Sequence, residues 1–315
     1  MCYVPTEDVF IDLLVSLPPQ MSRYLKDVFG PKVGPLIGIS AEELYEMKVS
    51  LSPEELKKAI IPYLPKINKL TTTVEDFVLQ LNKMGVEKAV IFNLDEETPS
   101  GIAGLPNDYY ADIVRNFPDK FIGFAGIDPL KGMDAIREIR RSYNLGLRGV
   151  AVRPFMFKIP PTHAKMYPIY ATCVELDIPI WFHLSINYST NSMEYERPIF
   201  LDMVAQDFPE LKMIAGHGGW PWVNEMVAVA WRNPNIYIDI ASYPPKYIGM
   251  KGTGWEPLMH YGNSVLQDRI LFGSTWLFMG LSIKQLADGV YNLPLKEKVK
   301  EKWLYHNAAR LLGIE

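Results

Sequence analysis

The fold of this chain is indicated most strongly by residues 213–223, MIAGHGGWPWV. The apolar run that ends at Gly216 predicts a buried strand, and Gly218 and Gly219 allow the backbone to turn sharply before a helical pattern resumes. His217 therefore lies at the carboxyl end of a predicted parallel strand, the face on which barrels and open α/β sheets carry their chemistry. Considered alone, the stretch is explained equally well by a histidine that only caps the turn.

The composition is that of an ordinary globular protein. Of the 315 residues, 48% are apolar and 22% are charged, and a formal net charge of −4 gives no basic surface for nucleic acid. Two cysteines, Cys2 and Cys173, cannot build a disulfide framework, which favours a reducing compartment. Residues 1–20 lack the pattern of a signal peptide, and no apolar run is long enough to span a membrane. We therefore expect a cytoplasmic protein with no nucleic-acid or membrane partner.

Apolar runs alternate with amphipathic helical patterns along most of the chain. We predict eight strands, which cover residues 9–17, 87–94, 121–127, 147–152, 178–183, 211–216, 235–241 and 269–273. Strands that alternate with helices pair in parallel through right-handed crossovers, and eight of them predict an α/β fold closed into a single (β/α)8 TIM barrel. Residues 20–69 are too long for a simple connection and predict an insertion after strand 1, a candidate lid. Because no linker or composition shift divides the chain, we expect one domain over residues 1–315.

Polar and ionisable side chains occur at five of the predicted strand ends. They are Asp12 and Ser16 in the first strand, Arg153 after the fourth, His183 and His217 at the fifth and sixth, and Ser274, Thr275 and Trp276 after the eighth. Asp12 and Ser16 share the parity of Leu14, so all three are predicted to face the barrel interior. A lone histidine among apolar residues is usually a structural core residue. Two histidines at corresponding ends of adjacent strands fit a shared site better.

Several stretches of the sequence resemble the amidohydrolase-related branch of the amidohydrolase superfamily, the group similar to aminocarboxymuconate-semialdehyde decarboxylase and γ-resorcylate decarboxylase. The resemblance extends from the first predicted strand to the C-terminus. It rests on residues 11–12 (ID), 179–183 (PIWFH), 208–222 with HGGWPW, 237–239 (YID), 271–274 (LFGS) and 307–313 (NAARLLG). It implies a barrel enzyme that acts on a small carboxylic acid, and it implies a homodimer.

The resemblance also implies a divalent metal, and the sequence departs from the family at that point. Relatives carry a His-x-His pair in the first strand and an Asp after the last, which correspond here to Leu14, Ser16 and Thr275. His183 matches a family metal ligand, and His217 matches the histidine that acts on the substrate. A leucine cannot coordinate zinc, a hydroxyl replaces imidazole or carboxylate poorly, and zinc takes three or four protein ligands. We therefore predict no cofactor and an empty zinc or manganese site.

Three functions remain open on these residues. The first is a metal-independent lyase, decarboxylase or hydrolase of a small, possibly aromatic, carboxylic acid. In it His217 and His183 act as acid or base, and Arg153 binds a carboxylate or phenolate; Arg153 fits a salt bridge at the barrel rim equally well. The second is a non-catalytic binding or regulatory relative, or a partner subunit, which the substitution by leucine favours. The third retains a metal through Asp12, His183 and Asp239.

The ligand is predicted to be a small molecule held by polar and aromatic side chains. Substrate contacts are predicted for Asp12, Ser16, Trp220, Thr275 and Trp276. Aromatic residues near the strand ends suit a flat apolar ligand, although some of them serve packing instead. These aromatic residues are Phe155, Phe157, Trp181, Trp220, Trp222, Tyr243, Trp276 and Phe278.

Overall fold

A sheet of seven parallel strands forms the centre of the protein in residues 3–314, the part that the computed structural model describes. The strands are β1 Ala89–Phe92, β2 Phe121–Gly126, β3 Val150–Val152, β4 Ile180–His183, β5 Met213–Gly216, β6 Ile236–Asp239 and β7 Ile270–Leu271. Each strand pairs with its neighbour in chain order, β1 to β7. This arrangement confirms the predicted α/β fold of the TIM-barrel type, and each of the seven lies within a predicted strand.

The first predicted strand is wrong, because residues 9–17 are mostly helical. Helix α1 spans Glu7–Val15, and the Thr6 side chain accepts a hydrogen bond from the Val9 amide at its N-terminus. A short apolar run has the same composition in a buried helix as in a buried strand, so periodicity does not separate the two. The shared parity of Asp12, Leu14 and Ser16 is therefore also wrong: residues 12 and 16 lie one turn apart on the helix, and Leu14 belongs to the buried core.

The extended residues 3–6 run alongside the sheet without belonging to it. The Tyr3 ring packs against Phe92 at the end of β1, with ring centroids 5.3 Å apart. Val4, the next residue, packs instead into an outer cluster with Phe77 and Ile91. The described residues contain seven strands in the sheet and not the predicted eight.

The predicted insertion is helical and precedes the sheet instead of following a first strand. Its helices are α2 Ser22–Tyr24, α3 Gly30–Ile37, α4 Ala41–Ser50, α5 Pro53–Ala59 and α6 Leu64–Ile67, with 3-10 turns at Pro19–Met21 and Ile61–Tyr63 and a π-helical turn at Leu25–Phe29. Ser40 and Ser52 cap two of these helices through their side chains. The role of the segment as a lid stays a prediction, as does the single domain.

Helices connect the strands and cover the outside of the barrel. They are α7 Val74–Lys83, α8 Glu97–Ser100, α9 Asn107–Asn116, α10 Met133–Asn144, α11 Pro154–Phe157, α12 Tyr167–Glu175, α13 Ile199–Asp207, α14 Val223–Arg232, α15 Pro245–Ile248, α16 Glu256–Gly262, α17 Trp276–Met279, α18 Ile283–Tyr291, α19 Glu297–Glu301 and α20 Asn307–Leu312. Shorter turns lie at Pro129–Lys131, Met193–Glu196, His217–Gly219 and Lys302–His306. Within residues 3–314 no helix is both long and apolar enough to cross a membrane.

The two faces of each strand pack into different clusters, and this decides which residues reach the barrel interior. In β4, Ile180 and Phe182 join the large core between sheet and helices. Trp181 lies on the opposite face with Phe92 and Ile214 inside the barrel. Because side chains alternate along a strand, the last residue of β4 shares the inner face with Trp181.

Of the two cysteines, Cys173 is a buried free thiol and Cys2 lies outside the described residues.

Candidate active site

A cavity of about 500 Å³ lies at the carboxyl ends of the strands, beneath the helical segment. Met21, Tyr24 and Val28 of that segment contribute to its wall. The sequence-predicted residues that line it are Asp12, Ser16, Arg153, His183, His217 and Thr275. The position of the cavity matches the functional face of α/β barrels.

His183 and His217 form the centre of this cavity wall. His183 is the last residue of β4, and its register partner on β5 is Gly216, so His217 follows directly beside it. The two rings meet edge to face with centroids 4.7 Å apart. Burial, and then the Arg153 charge, lower the pKa of His183 to about 3; burial, and then His183, lower that of His217 to about 3. Both imidazoles are therefore neutral at pH 7.

The turn after β5 holds the His217 ring in one orientation. His217 and Gly218 have φ values of 60° and 68°, in the left-handed region that glycine adopts most easily. His217 Nδ1 lies 3.3 Å from the Ala241 carbonyl oxygen. Because that oxygen only accepts, Nδ1 carries the hydrogen in the neutral ring, and Nε2 presents a lone pair.

Glu196 is a partner of His183 that the sequence did not reveal. Its Oε1 makes a short hydrogen bond with His183 Nδ1, and its Oε2 accepts from Asn187 Nδ2 at 2.5 Å. Glu196 is completely buried, and burial raises its pKa well above the ordinary value. The pair of Glu196 and His183 therefore keeps one proton and no net charge.

Arg153 makes the predicted salt bridge and also lines the cavity. Its guanidinium group contacts the Glu96 carboxylate through two nitrogens, with Nε 2.5 Å from Oε1. Both side chains are largely buried. The positive charge is thus compensated within the protein, and the remaining donor capacity of the guanidinium faces the cavity region.

The predicted aromatic and substrate-binding residues divide into two groups. Phe155, Trp181, Tyr243 and Phe278 line the cavity, whereas Phe157 and Trp222 lie outside its lining. Trp220 and Trp276 also lie outside it. Trp220 Nε1 donates to the Thr253 carbonyl, while the Trp276 ring stacks on Phe77 and its Nε1 donates to the Tyr3 carbonyl. Both of these indoles are packed as structural residues.

Several cavity residues were missed because they come from connections and not from strand ends. They are Lys32, Glu96, Ser185, Asn187 and Tyr188. Glu196, also missed, does not line the cavity but contacts His183 from behind its wall. Ser185 Oγ lies 3.0 Å from the Tyr243 hydroxyl. Only residues 185 and 187 carried a usable signal, since they follow His183 directly in the chain.

Comparison with known proteins assigns the fold to a family. The sequence pattern of the amidohydrolase family matches residues 54–314. The chain belongs to the amidohydrolase family. The matched range of this amidohydrolase contains His183 and His217, and helix α1 precedes that range.

Individual relatives of this amidohydrolase agree with the resemblance found in the sequence. γ-Resorcylate decarboxylase of Polaromonas sp. strain JS666 is 25% identical over 280 residues, which cover 76% of this chain and 84% of that protein. An uncharacterised TIM-barrel protein from Bordetella bronchiseptica superposes with a TM-score of 0.68 at 27% identity, covering 79% of this chain and 85% of that one. Dihydroxybenzoic acid decarboxylase from Polaromonas sp. JS666, solved with manganese and 2-nitroresorcinol, shares the fold with a TM-score of 0.59 at 20% identity, covering 80% and 89%.

Few of the metal-ligating side chains that the resemblance implies converge in the described part of this amidohydrolase. The described residues contain no group of three or more His, Cys, Asp or Glu side chains placed to hold one ion. Asp239, a candidate ligand, accepts from Trp181 Nε1 and the Ala241 amide, each at 2.6 Å. Thr275 Oγ1 lies 3.1 Å from Ser242 Oγ, so a hydroxyl after β7 meets a hydroxyl after β6.

Proposed function

We propose that this protein is a decarboxylase, a C–C lyase, that acts on a small aromatic carboxylic acid without a bound divalent metal. The observation that carries the proposal is the pair of His183 and His217 at the cavity wall, with the buried Glu196 hydrogen-bonded to His183 from behind that wall. A proton-holding pair lies beside a second neutral imidazole at the functional face of the barrel. The named decarboxylases among its relatives support the same reaction class.

The cavity suits a flat acid. Phe155, Trp181 and Phe278 supply aromatic walls, and the volume is that of an ordinary small-molecule site. Arg153 lines the same cavity, and its Nη1, which Glu96 does not contact, is the donor that we assign to the substrate carboxylate. We place the substrate carboxylate toward Arg153 and the ring against the aromatic side chains.

The reaction needs one proton for the ring carbon that loses CO2. In our proposal His183 Nε2–H gives that proton to the ring carbon while Nδ1 takes the proton of Glu196. The C–C bond then breaks, its electron pair returns to the ring, and CO2 leaves. The arene and a Glu196 carboxylate remain, so the total charge is unchanged, and water restores the proton to Glu196.

His217 has a separate part in the proposal. Its Nε2 lone pair accepts a hydrogen bond from a hydroxyl of the substrate and orients the ring beside His183. The fixed hydrogen on Nδ1, held by the Ala241 carbonyl, supports this assignment.

The absence of a metal from the proposal rests on the donor set. Both Asp239 oxygens already accept hydrogen bonds, and the Thr275 hydroxyl stands where relatives carry a carboxylate. Too few free donors remain for a site of three or four ligands.

A non-catalytic ligand-binding role is the second candidate. The observation that favours it is the ion pair of Arg153 and Glu96, which neutralises the one arginine that lines the cavity. A relative that binds an aromatic acid without turnover would keep the same cavity.

The test uses purified protein of measured metal content with carboxyl-¹³C-labelled 2-hydroxybenzoate, 4-hydroxybenzoate and 2,6-dihydroxybenzoate. We expect release of ¹³CO2 in the presence of a chelator and incorporation of solvent deuterium at the vacated ring carbon. His183→Asn should abolish release and retain binding in calorimetry. Binding by the wild-type protein without CO2 release establishes the second candidate, and turnover that requires added metal contradicts the metal-free proposal.

We also propose that the protein is a cytoplasmic homodimer with no nucleic-acid or membrane partner. The dimer is implied by the family resemblance. Sedimentation velocity at several protein concentrations tests it, and a single species of monomer mass throughout would contradict it.

A further inference from the structure

Asp12 places a carboxylate in the cavity from a part of the chain that precedes the family match. It lies on helix α1, one turn before Ser16, and both residues line the cavity with Leu13 and Leu17. The family match begins at residue 54, so the contribution of this helix is additional to the matched barrel.

The local contacts hold the Asp12 carboxylate in place without neutralising it. Its Oδ1 accepts from the Leu105 amide at 3.1 Å. Gly104 leaves space beside it, since a Cβ there would lie 3.3 Å from Oδ1 and 3.5 Å from Oδ2. Asp12 takes part in none of the ion pairs that the described residues form. Burial raises the pKa of Asp12, and the opposing effects of the hydrogen bonds from Ser16 and Leu105 and of the Lys57 charge are smaller.

The cavity therefore has two chemically different sets of polar groups. Arg153 and His183 supply donors, and the carboxylate of Glu96 is paired with Arg153. Asp12 supplies an anionic acceptor from a helix that is outside the barrel strands. A substrate carboxylate is attracted to the first set and repelled by Asp12. A hydrogen-bond donor on the substrate is attracted to Asp12, because hydrogen bonds to a charged acceptor are the stronger kind.

We propose that Asp12 determines specificity: the ligand is an aromatic monocarboxylate with an O–H or N–H donor on its ring, Asp12 accepts that donor, and Asp12 rejects dicarboxylates. This inference rests on the proposed function for the aromatic acid, and adds to the hydroxyl contact of His217 a second acceptor, Asp12, that selects for a ring donor and against a second carboxylate. It concerns binding, so it does not require turnover.

The experiment measures dissociation constants by calorimetry for benzoate, 3- and 4-hydroxybenzoate, 3- and 4-aminobenzoate, and terephthalate. Wild-type protein should bind the best hydroxy or amino compound at least tenfold more tightly than benzoate, and terephthalate at least tenfold more weakly. The hydroxy and amino series distinguish an O–H from an N–H donor. Asp12→Ala should reduce the donor advantage to less than threefold, and Asp12→Asn, which removes only the charge, should improve terephthalate binding.

Asp8→Asn is the matched control, because Asp8 is exposed on the same helix and does not line the cavity. It should leave every constant at the wild-type value. The proposal is overturned if benzoate binds wild-type protein as tightly as its hydroxy and amino derivatives, if Asp12→Ala weakens all compounds by one factor, or if no compound binds. Asp12→Asn keeps the volume of the side chain, so its terephthalate constant decides the role of Asp12 if Asp12→Ala does not fold. A protein that shows the Asp12-dependent preference but releases no CO2 supports this inference and contradicts the proposed reaction.

Discussion

His183 and His217 meet edge to face at an interplanar angle of 75°, with ring centroids 4.7 Å apart. The contact follows from the register of β4 and β5, in which His183 pairs with Gly216 and His217 is the next residue. Neither ring is charged at neutral pH, since burial and the neighbouring groups lower both pKa values to about 3. The mobile proton of the site is therefore held by His183 together with Glu196.

Replacing Glu196 should remove the carboxylic acid that supplies the proton to His183 and leave the cavity intact. We expect Glu196→Gln to reduce kcat by about 100-fold or more, the usual range for loss of an acid–base group, with a small change in KM. Glu194→Gln is the control, because Glu194 is exposed in the same turn, and it should keep wild-type kcat. Steady-state CO2 release measures both. Equal rates for Glu196→Gln and wild type would contradict the proposed proton path.

The buried histidines should make the folded state less stable in acid. Their folded pKa values lie below the ordinary value near 6.5, so between about pH 6.5 and pH 3 the unfolded chain binds protons that the folded chain excludes. The contribution to stability is complete above pH 6.5 and is lost as the pH falls toward 3. Glu196, with a raised pKa, contributes in the opposite direction.

His217→Asn isolates one of these titrations, because Glu196 and His183 remain in both proteins. Urea unfolding between pH 7.5 and 5 should show a smaller loss of unfolding free energy for the variant, by up to about 1.4 kcal/mol per pH unit below 6.5. Parallel curves for the two proteins would show that His217 is not held neutral by the fold.

The turn that carries His217 should not tolerate a side chain at residue 218. Gly218 has φ 68°, and a Cβ there would lie 2.3 Å from the buried Trp255 ring. Gly252 has a similar φ of 80° and no atom within 4 Å of the same position. Gly252→Ala should cost about 1–2 kcal/mol from backbone conformation alone. Gly218→Ala should cost about 1–3 kcal/mol more, from overlap. If both variants lose the same unfolding free energy in chemical denaturation, the Trp255 ring moves aside at no cost and the overlap argument is wrong.

Metal analysis tests the donor set directly. After growth with added zinc and manganese, mass spectrometry of purified protein should find far less than one ion per chain, because the described side chains lack three convergent ligands. Addition of either ion should leave Tm unchanged, since only a ligand of the folded state raises it. A stoichiometric ion would contradict the metal-free proposal and require a new ligand set around His183.

Seven of the predicted strands are confirmed because each is a short apolar run between turn residues, a pattern that local sequence determines. The run at residues 9–17 was misassigned for the same reason. Its apolar side chains are compatible with a buried helix as well as with a strand. The structure shows the helix, which begins after Thr6, whose side chain accepts a hydrogen bond from the Val9 amide. Trp220 and Trp276 show a similar limit, since an indole beside a site and an indole packed behind it have the same local sequence.

The sequence by itself determined the parallel α/β barrel, the family, and the placing of His183 and His217 at neighbouring strand ends. Hydrophobic periodicity, a local property, suffices for the alternating strands and helices and for the strand ends at which the histidines lie, and the motifs shared with relatives suffice for the family. The tertiary structure alone decided that Glu196 contacts His183, that Glu96 neutralises Arg153 and that Asp12 enters the cavity from a helix. Glu196 and Glu96 lie in connections, 13 and 57 residues from their partners in the chain. Their positions depend on how the connections pack, because burial of a charge is stabilised only by a partner that the fold brings to it.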